Sequence, residues 1–230
     1  MRSVAGRVGI RMLRGTRAIS EKGAKNAMER GGTPNNQNGK RVVVMSERAS
    51  QNTPLPDKRY SIIYADPPWN PVESGSGIRG TAGLAKRYKG VMKIEEICSL
   101  PIQEISNDDC ILFLWVTFPR LLGGIKTINA WGFKYYGLGF VWIKLNKRSK
   151  TPFWGMGYYT RQNPEICLIA TKGKKFKPLA RNIHSVVMTP KEEHSKKPDI
   201  IRDNIVRIIG DLPRIELFAR QRVDGWDAIS

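Results

Sequence analysis

A layered α/β sheet is the fold this sequence predicts, and three observations point to it. Apolar strand candidates alternate with helix candidates along the chain, the pattern of a sheet covered by helices. Of 230 residues, 40% are hydrophobic, enough for one domain with a full core. The strand-like run Tyr60-Ser61-Ile62-Ile63-Tyr64-Ala65 ends directly in Asp66-Pro67-Pro68-Trp69. A carboxylate is thereby delivered at the C-terminal end of a buried strand, where open α/β sheets receive their ligands.

In order, strands are predicted at 60–65, 110–116, 136–144, 165–171, 185–188 and 213–218, and helices at 93–100, 119–131 and 198–209. The last helix has the clearest end signals. Pro198 suits a first turn, Asp199 favours the positive end of the dipole, and Gly210 suits the stop. Ile201, Ile205, Ile208 and Ile209 share one face at helical spacing and read as core. Residues 1–44 differ in kind: ten Lys or Arg stand against two Asp or Glu, and Gly and Asn abound over Gly31–Gly39. Little there could pack, so the segment is expected to be disordered. A basic nucleic-acid-gripping arm, an Arg-rich transit peptide, or sequence upstream of a true start at Met45 would each explain it, and the last is favoured. The folded domain is placed at 45–230.

The formal charge of +19 implies a polyanionic partner, nucleic acid before anything else. No apolar run approaches the roughly 20 residues that cross a bilayer, so no membrane association and a cytoplasmic location are expected. Cys98, Cys110 and Cys167 lack zinc-type spacing, and the latter two lie in apolar runs as buried reduced thiols. No metal site is predicted. Gly137-Leu138-Gly139 and Gly155-Met156-Gly157 lack the third glycine of a dinucleotide fingerprint, which argues against a nicotinamide or flavin site.

Asp66-Pro67-Pro68-Trp69 carries the chemistry. Two prolines remove two N–H groups and fix φ, leaving rigid carbonyl acceptors beside the carboxylate. Trp69 adds a flat apolar face. Acceptors beside a stacking surface suit an aromatic ring that bears an exocyclic amine. A rigid turn with Trp69 as a core residue is the plainer alternative. The densest basic stretch is 144–181, where ten Lys or Arg face one acid, Glu165, with Trp154, Tyr158 and Tyr159 among them. Cations for phosphates beside aromatics for unpaired bases make a nucleic-acid surface, and Lys144, Arg161, Lys174 and Lys175 are its candidates.

From Tyr60 to Trp226 the sequence resembles the MT-A-seventy family of adenine methyltransferases. The resemblance rests on Ala65-Asp66-Pro67-Pro68-Trp69, on Ile111–Thr117, Trp131-Gly132-Phe133 and Phe140–Lys144, on Gly155–Arg161 with Glu165–Gly173, and on His194–Asp199 and Glu216–Arg220. It implies a Rossmann-like fold, a central mostly parallel sheet flanked by helices, with the catalytic motif preceding the cofactor strand in permuted order. It also implies S-adenosylmethionine as methyl donor and the 6-amino group of adenine in nucleic acid as acceptor, DNA favoured over RNA. On this resemblance Asp66, Pro67, Pro68 and Trp69 are catalytic. Asp66, Lys197, Glu216, Leu217, Phe218 and Arg220 hold the cofactor, with Glu216 pairing Lys197. Tyr88 matches a family tyrosine that helps cage the base, on the loop after the catalytic motif, and the Gly and Ser of residues 74–83 imply that this loop is mobile until substrate binds. Family members continue beyond Gly225-Trp226 into a polar segment that helps hold the cofactor, whereas this chain stops at Ser230; substitution by its backbone, a weakened affinity, or a truncated C-terminus would each account for that. A non-catalytic nucleic-acid-binding subunit and a cytosine 4-amino methyltransferase are the rival readings, and a homo- or heterodimer fits the family.

Overall fold

The computed structural model describes residues 55–70, 90–155, 157, 159–191 and 196–230. All of them lie in the second of the chain's two units, 49–230. Expectations for the basic segment 1–44, the loop 74–83, Tyr88 and His194 fall outside the described residues.

Seven strands form one sheet: β1 (Tyr60–Ala65), β2 (Ser106–Val116), β3 (Lys134–Leu145), β4 (Pro164–Lys172), β5 (Val186–Pro190), β6 (Arg214–Leu217) and β7 (Asp227–Ile229). Their spatial order is β5-β3-β4-β2-β1-β6-β7. Every pairing is parallel except the two that β4 makes, with β2 and with β3. One reversed strand thus sits in an otherwise parallel sheet, the mixed, mostly parallel arrangement of a Rossmann-like α/β fold. The predicted strands are found within a few residues of their expected ends. The three-residue β7 and a short helix at 102–105 carried too little pattern to be foreseen.

Side-chain alternation sorts the core into two layers. Leu112, Leu114, Leu168 and Ala170 face Ile97 of α1 (Ile94–Cys98), Ile102 and Ile105 of α2 (Ile102–Ile105), and Ile128 of α3 (Leu121–Ala130). Phe113, Trp115, Phe140, Trp142 and Cys167 lie on the opposite face, with Ile201, Ile205 and Ile209 of α4 (Ile200–Ile209). The isoleucine stripe is core, as its spacing implies, with Ile208 half-buried at its border. Gly210 ends α4 at φ 105°, a left-handed conformation that side-chain-bearing residues rarely adopt.

This layering fixes the site. β1 leads into helices on one face, whereas β6 is entered from α4 on the other, and β1 and β6 lie side by side. The crevice between their C-terminal ends is the kind of switch point where such sheets bind ligands. Because β4 runs backwards, its first residues reach this same edge. No helix among the described residues is long and apolar enough to cross a membrane.

Candidate active site

Asp66 continues β1 by one step. Its N–H donates to the Leu217 carbonyl at 3.4 Å, extending the β1–β6 pairing to the edge. Its Oδ2 accepts a hydrogen bond from Lys197 Nζ at 2.6 Å. Lys197 also reaches Oε2 of Glu165 at 3.2 Å. The other Glu165 oxygen accepts from Lys144. Lys144, Glu165, Lys197 and Asp66 therefore form a row of alternating charge. Their side chains are only 9–20% exposed. Partnered at each step, such a row offsets the cost of taking four charges out of water.

Burial pushes the Asp66 carboxyl above its ordinary range, against the charge and hydrogen bond of Lys197. Glu165 is held below the usual range despite its burial, because two ammonium groups face it. Lys197 is likewise buried, yet Asp66 and Glu165 hold it above the usual lysine range. The result is a lysine whose protonated form is favoured beside the Asp66 carboxyl.

The two prolines are less free than the sequence implies. The Pro67 carbonyl accepts the Trp69 N–H at 2.8 Å, and the Pro68 carbonyl accepts that of Met92 at 2.8 Å. A carbonyl oxygen has two lone pairs, so each keeps one. Trp69 is half-buried against the core, and its indole N–H donates to the Trp115 carbonyl at 3.0 Å. It is thus packing residue and fixed flat face at once. Trp115 lies under the site, its ring 5.4 Å from Lys197 Nζ and its own N–H donating to Tyr64 Oη at 2.7 Å.

Beyond β6 the backbone turns sharply at Phe218, whose φ of 60° is a genuine outlier for an aromatic residue. Phe218 is half-buried at the edge. Arg220 is exposed, and its charge favours the ionised form of Asp66. Loop residues 146–155 and 159–163 adjoin the same edge, between the end of β3 and the start of β4. There the Arg161 guanidinium lies 4.9 Å from the ring of Trp154, an indole left 71% exposed.

Several expectations are corrected. Glu216 does not pair with Lys197: Arg202 of α4 holds both its oxygens, at 3.2 and 3.0 Å, and also bonds Asp199. Leu217 is 3% exposed within the core, because period-two alternation turns it inward with Ile215. Lys144 is committed to Glu165 and is no free phosphate ligand. Lys174 and Lys175 follow β4, whose reversed direction carries them to the opposite edge of the sheet. Glu165 and Arg202 were missed as site residues. The signal for Glu165 was its isolation as the single acid among ten cations. Arg202 was hidden as the basic residue beside Ile201 in an isoleucine-rich helix.

The MT-A70 family model matches residues 60–230. The chain belongs to this family. Membership carries the chemistry read from the motif, methyl transfer to the 6-amino group of adenine. Among relatives, the chain is 34% identical over 189 residues to "Type II methyltransferase M.MunI" of Mycoplasma sp, covering 75% of this chain and 77% of that protein. It is 28% identical over 166 residues to the human "N(6)-adenosine-methyltransferase catalytic subunit METTL3", covering 70% of this chain and 26% of that protein. A relative from Arabidopsis thaliana, "N(6)-adenosine-methyltransferase MT-A70-like", is 28% identical over 163 residues, 70% of this chain and 22% of that protein. The chain thus spans about a quarter of the length of these plant and animal relatives.

Proposed function

We propose that this MT-A70 member methylates adenine in DNA, with residues 45–230 as the catalytic unit and S-adenosylmethionine as the donor. The reading is carried by the Asp66 carboxylate, held at the β1–β6 crevice with Lys197 Nζ 2.6 Å away. The residues present fit the donor: Lys197 suits its carboxylate, Asp66 its positive groups, and half-buried Phe218 its adenosine, with Arg220 at the rim. When bound, the donor supplies an electrophilic methyl group on a positively charged sulfur.

The chain's own residues supply the rest. Asp66 and the remaining lone pair of the Pro67 carbonyl accept hydrogen bonds from the two N–H groups of the 6-amino group. That draws electron density back onto a nitrogen otherwise delocalised into the ring and orients it for in-line attack. The same acceptors, fixed before reaction, stabilise the positive charge that develops on the amine. Trp69, its indole pinned by the Trp115 carbonyl, offers a flat face to a base taken out of its stack. DNA is favoured because the Mycoplasma relative, a Type II methyltransferase, is matched over 77% of its length.

Labelled methyl transfer to matched DNA and RNA, followed by nucleoside mass spectrometry, tests the reading. Label in 6-methyladenine of DNA, lost in Asp66→Asn, is expected. Label in 4-methylcytosine, in RNA alone, or in neither polymer would overturn it.

A further inference from the structure

Lys174 and Lys175 lie about one strand length from the active edge. β4 begins beside Glu165 at that edge and runs nine residues to Lys172, which pairs with Cys110 near the start of β2. The two edges are about 26 Å apart at ~3.3 Å per residue. The chain turns at Gly173, whose φ is 66° and where a Cβ would come within 2.2 Å of the Asp108 carbonyl, so only glycine fits. The Lys174 N–H then donates to Asp109 Oδ1 at 2.7 Å, which fixes where the lysine pair leaves the sheet. Lys175 Nζ stands 4.6 Å from the ring centroid of Tyr136, itself 60% exposed.

The chain then returns toward the active edge. Phe176 and Ile183 pack on the α4 face of the sheet, and the Leu179 N–H donates to the carbonyl of Ile208, at the far end of α4. Lys174, Lys175, Lys177 and Arg181 all point to solvent. The Ser185 carbonyl meets the Val141 N–H midway along β3, and β5 climbs from there to Lys191, whose N–H donates to the Leu145 carbonyl at the active edge. There Lys191 Nζ lies 4.5 Å from the ring of Phe153, in the same loop as Trp154 and Arg161. From Lys172 to Lys191 the segment carries six Lys or Arg and no Asp or Glu. Among the described residues, Asp108, Asp109 and Asp211 are acids at its far end, and Asp109 is spent on the turn while Asp211 pairs with Arg214.

We propose that residues 174–191 form a basic track along the β5 side of the sheet that grips the backbone of the same DNA duplex whose adenine enters at Asp66. The proposal rests on the DNA reading above and extends it to a footprint. A flanking arm of about 8 base pairs, at ~3.4 Å each, spans from the active edge to Lys174 and Lys175. Phosphate contacts of this kind add affinity without reading sequence. Short substrates therefore engage only the active-edge loop, and long ones engage both ends.

The test compares two duplexes around one target adenine, with flanks of about 4 and about 15 base pairs, binding being read by fluorescence anisotropy. The variant is Lys174→Glu with Lys175→Glu, and Lys174→Arg with Lys175→Arg is the charge-preserving control. On the long duplex the Glu variant is expected to bind at least tenfold more weakly, with its salt slope reduced by about 2. On the short duplex the Glu variant should match the parent, and the Arg variant should match it on both. Equal loss on both lengths, no loss on the long duplex, or loss in the Arg variant would overturn the track. So would binding of the parent to vesicles of anionic phospholipid that the Glu variant lacks while its DNA affinity is unchanged. The readout needs no methyl transfer, so a failure of the adenine chemistry would leave the length dependence standing and be told apart from it.

Discussion

Two sets of lysines from one basic stretch of sequence end in opposite circumstances. Lys144 at one end of the sheet is locked between strands, 20% exposed, against Glu165, which in turn holds Lys197. Lys174 and Lys175, just past the far end of β4, stand in solvent. Composition gives all of them the same role; strand direction divides them. A cation between buried carboxylates fixes geometry and protonation at the reaction centre. A cation in water adds screened, long-range attraction to a polyanion. The lesson is that a run of like charges is not one surface until the fold says which way its strands run.

The contrast can be broken or sharpened by substitution. The largest effect is expected from Asp66→Asn, which keeps shape but removes the acceptor charge. Transfer to adenine should fall by about 10²–10³-fold, read with labelled methyl donor, and a loss under tenfold would remove Asp66 from the chemistry. Next comes Glu165→Gln, which removes the carboxylate between buried Lys144 and Lys197 and leaves only Asp66, beside Lys197, in the row. Stability should drop by about 3 kcal/mol in denaturant unfolding, whereas an unchanged midpoint would mean that the alternating row holds nothing in place.

A third prediction concerns pH. Lys197 lowers the Asp66 carboxyl that burial raises, so Lys197→Met should move the acid limb of kcat/KM to higher pH. A limb shifted the other way, or unmoved, would uncouple the pair. The stability signs differ between partners. Lys197 titrates above its unfolded value, so its contribution is present at neutral pH and lost as pH rises through the folded value. Glu165 titrates below its unfolded value, so its contribution is present above the ordinary glutamate range and lost as pH falls through the folded value. The smallest effect belongs to Lys174→Ala with Lys175→Ala, which should leave the thermal midpoint unchanged, since neither side chain is buried.

Much of this fold was legible because local pattern is enough for it. The apolar runs marked six strands, and Pro198, Asp199 and Gly210 bracketed α4. What could not be read was the direction of β4, since an apolar run such as Ile166–Ala170 looks the same in either sense. That single unknown concealed that Lys174 and Lys175 stand at the edge opposite Lys144, and it hid Glu165, which only a reversed strand brings to Asp66. The Glu216 partner failed for a related reason: Arg202 and Lys197 are five residues apart, and only the helix rotation decides which one faces β6. Leu217 was recoverable, because alternation from Ile215 turns it inward. Phe218 kept its place at the edge through a left-handed backbone that no propensity foretells.

The reversed strand also dictates when the site can exist during synthesis. β3 is made before β4, yet its hydrogen-bonded neighbours are β4 and β5 alone, so Phe140 and Trp142 stay without a sheet to join until residues beyond 164 emerge. Asp66 is translated early, and its partner Lys197 follows 131 residues later. A nascent chain holding every residue of the Asp66-Pro67-Pro68-Trp69 motif is therefore still without its counter-charge. Closing this half of the sheet is a late, long-range step of the kind that slows folding and leaves apolar strands open to wrong partners meanwhile.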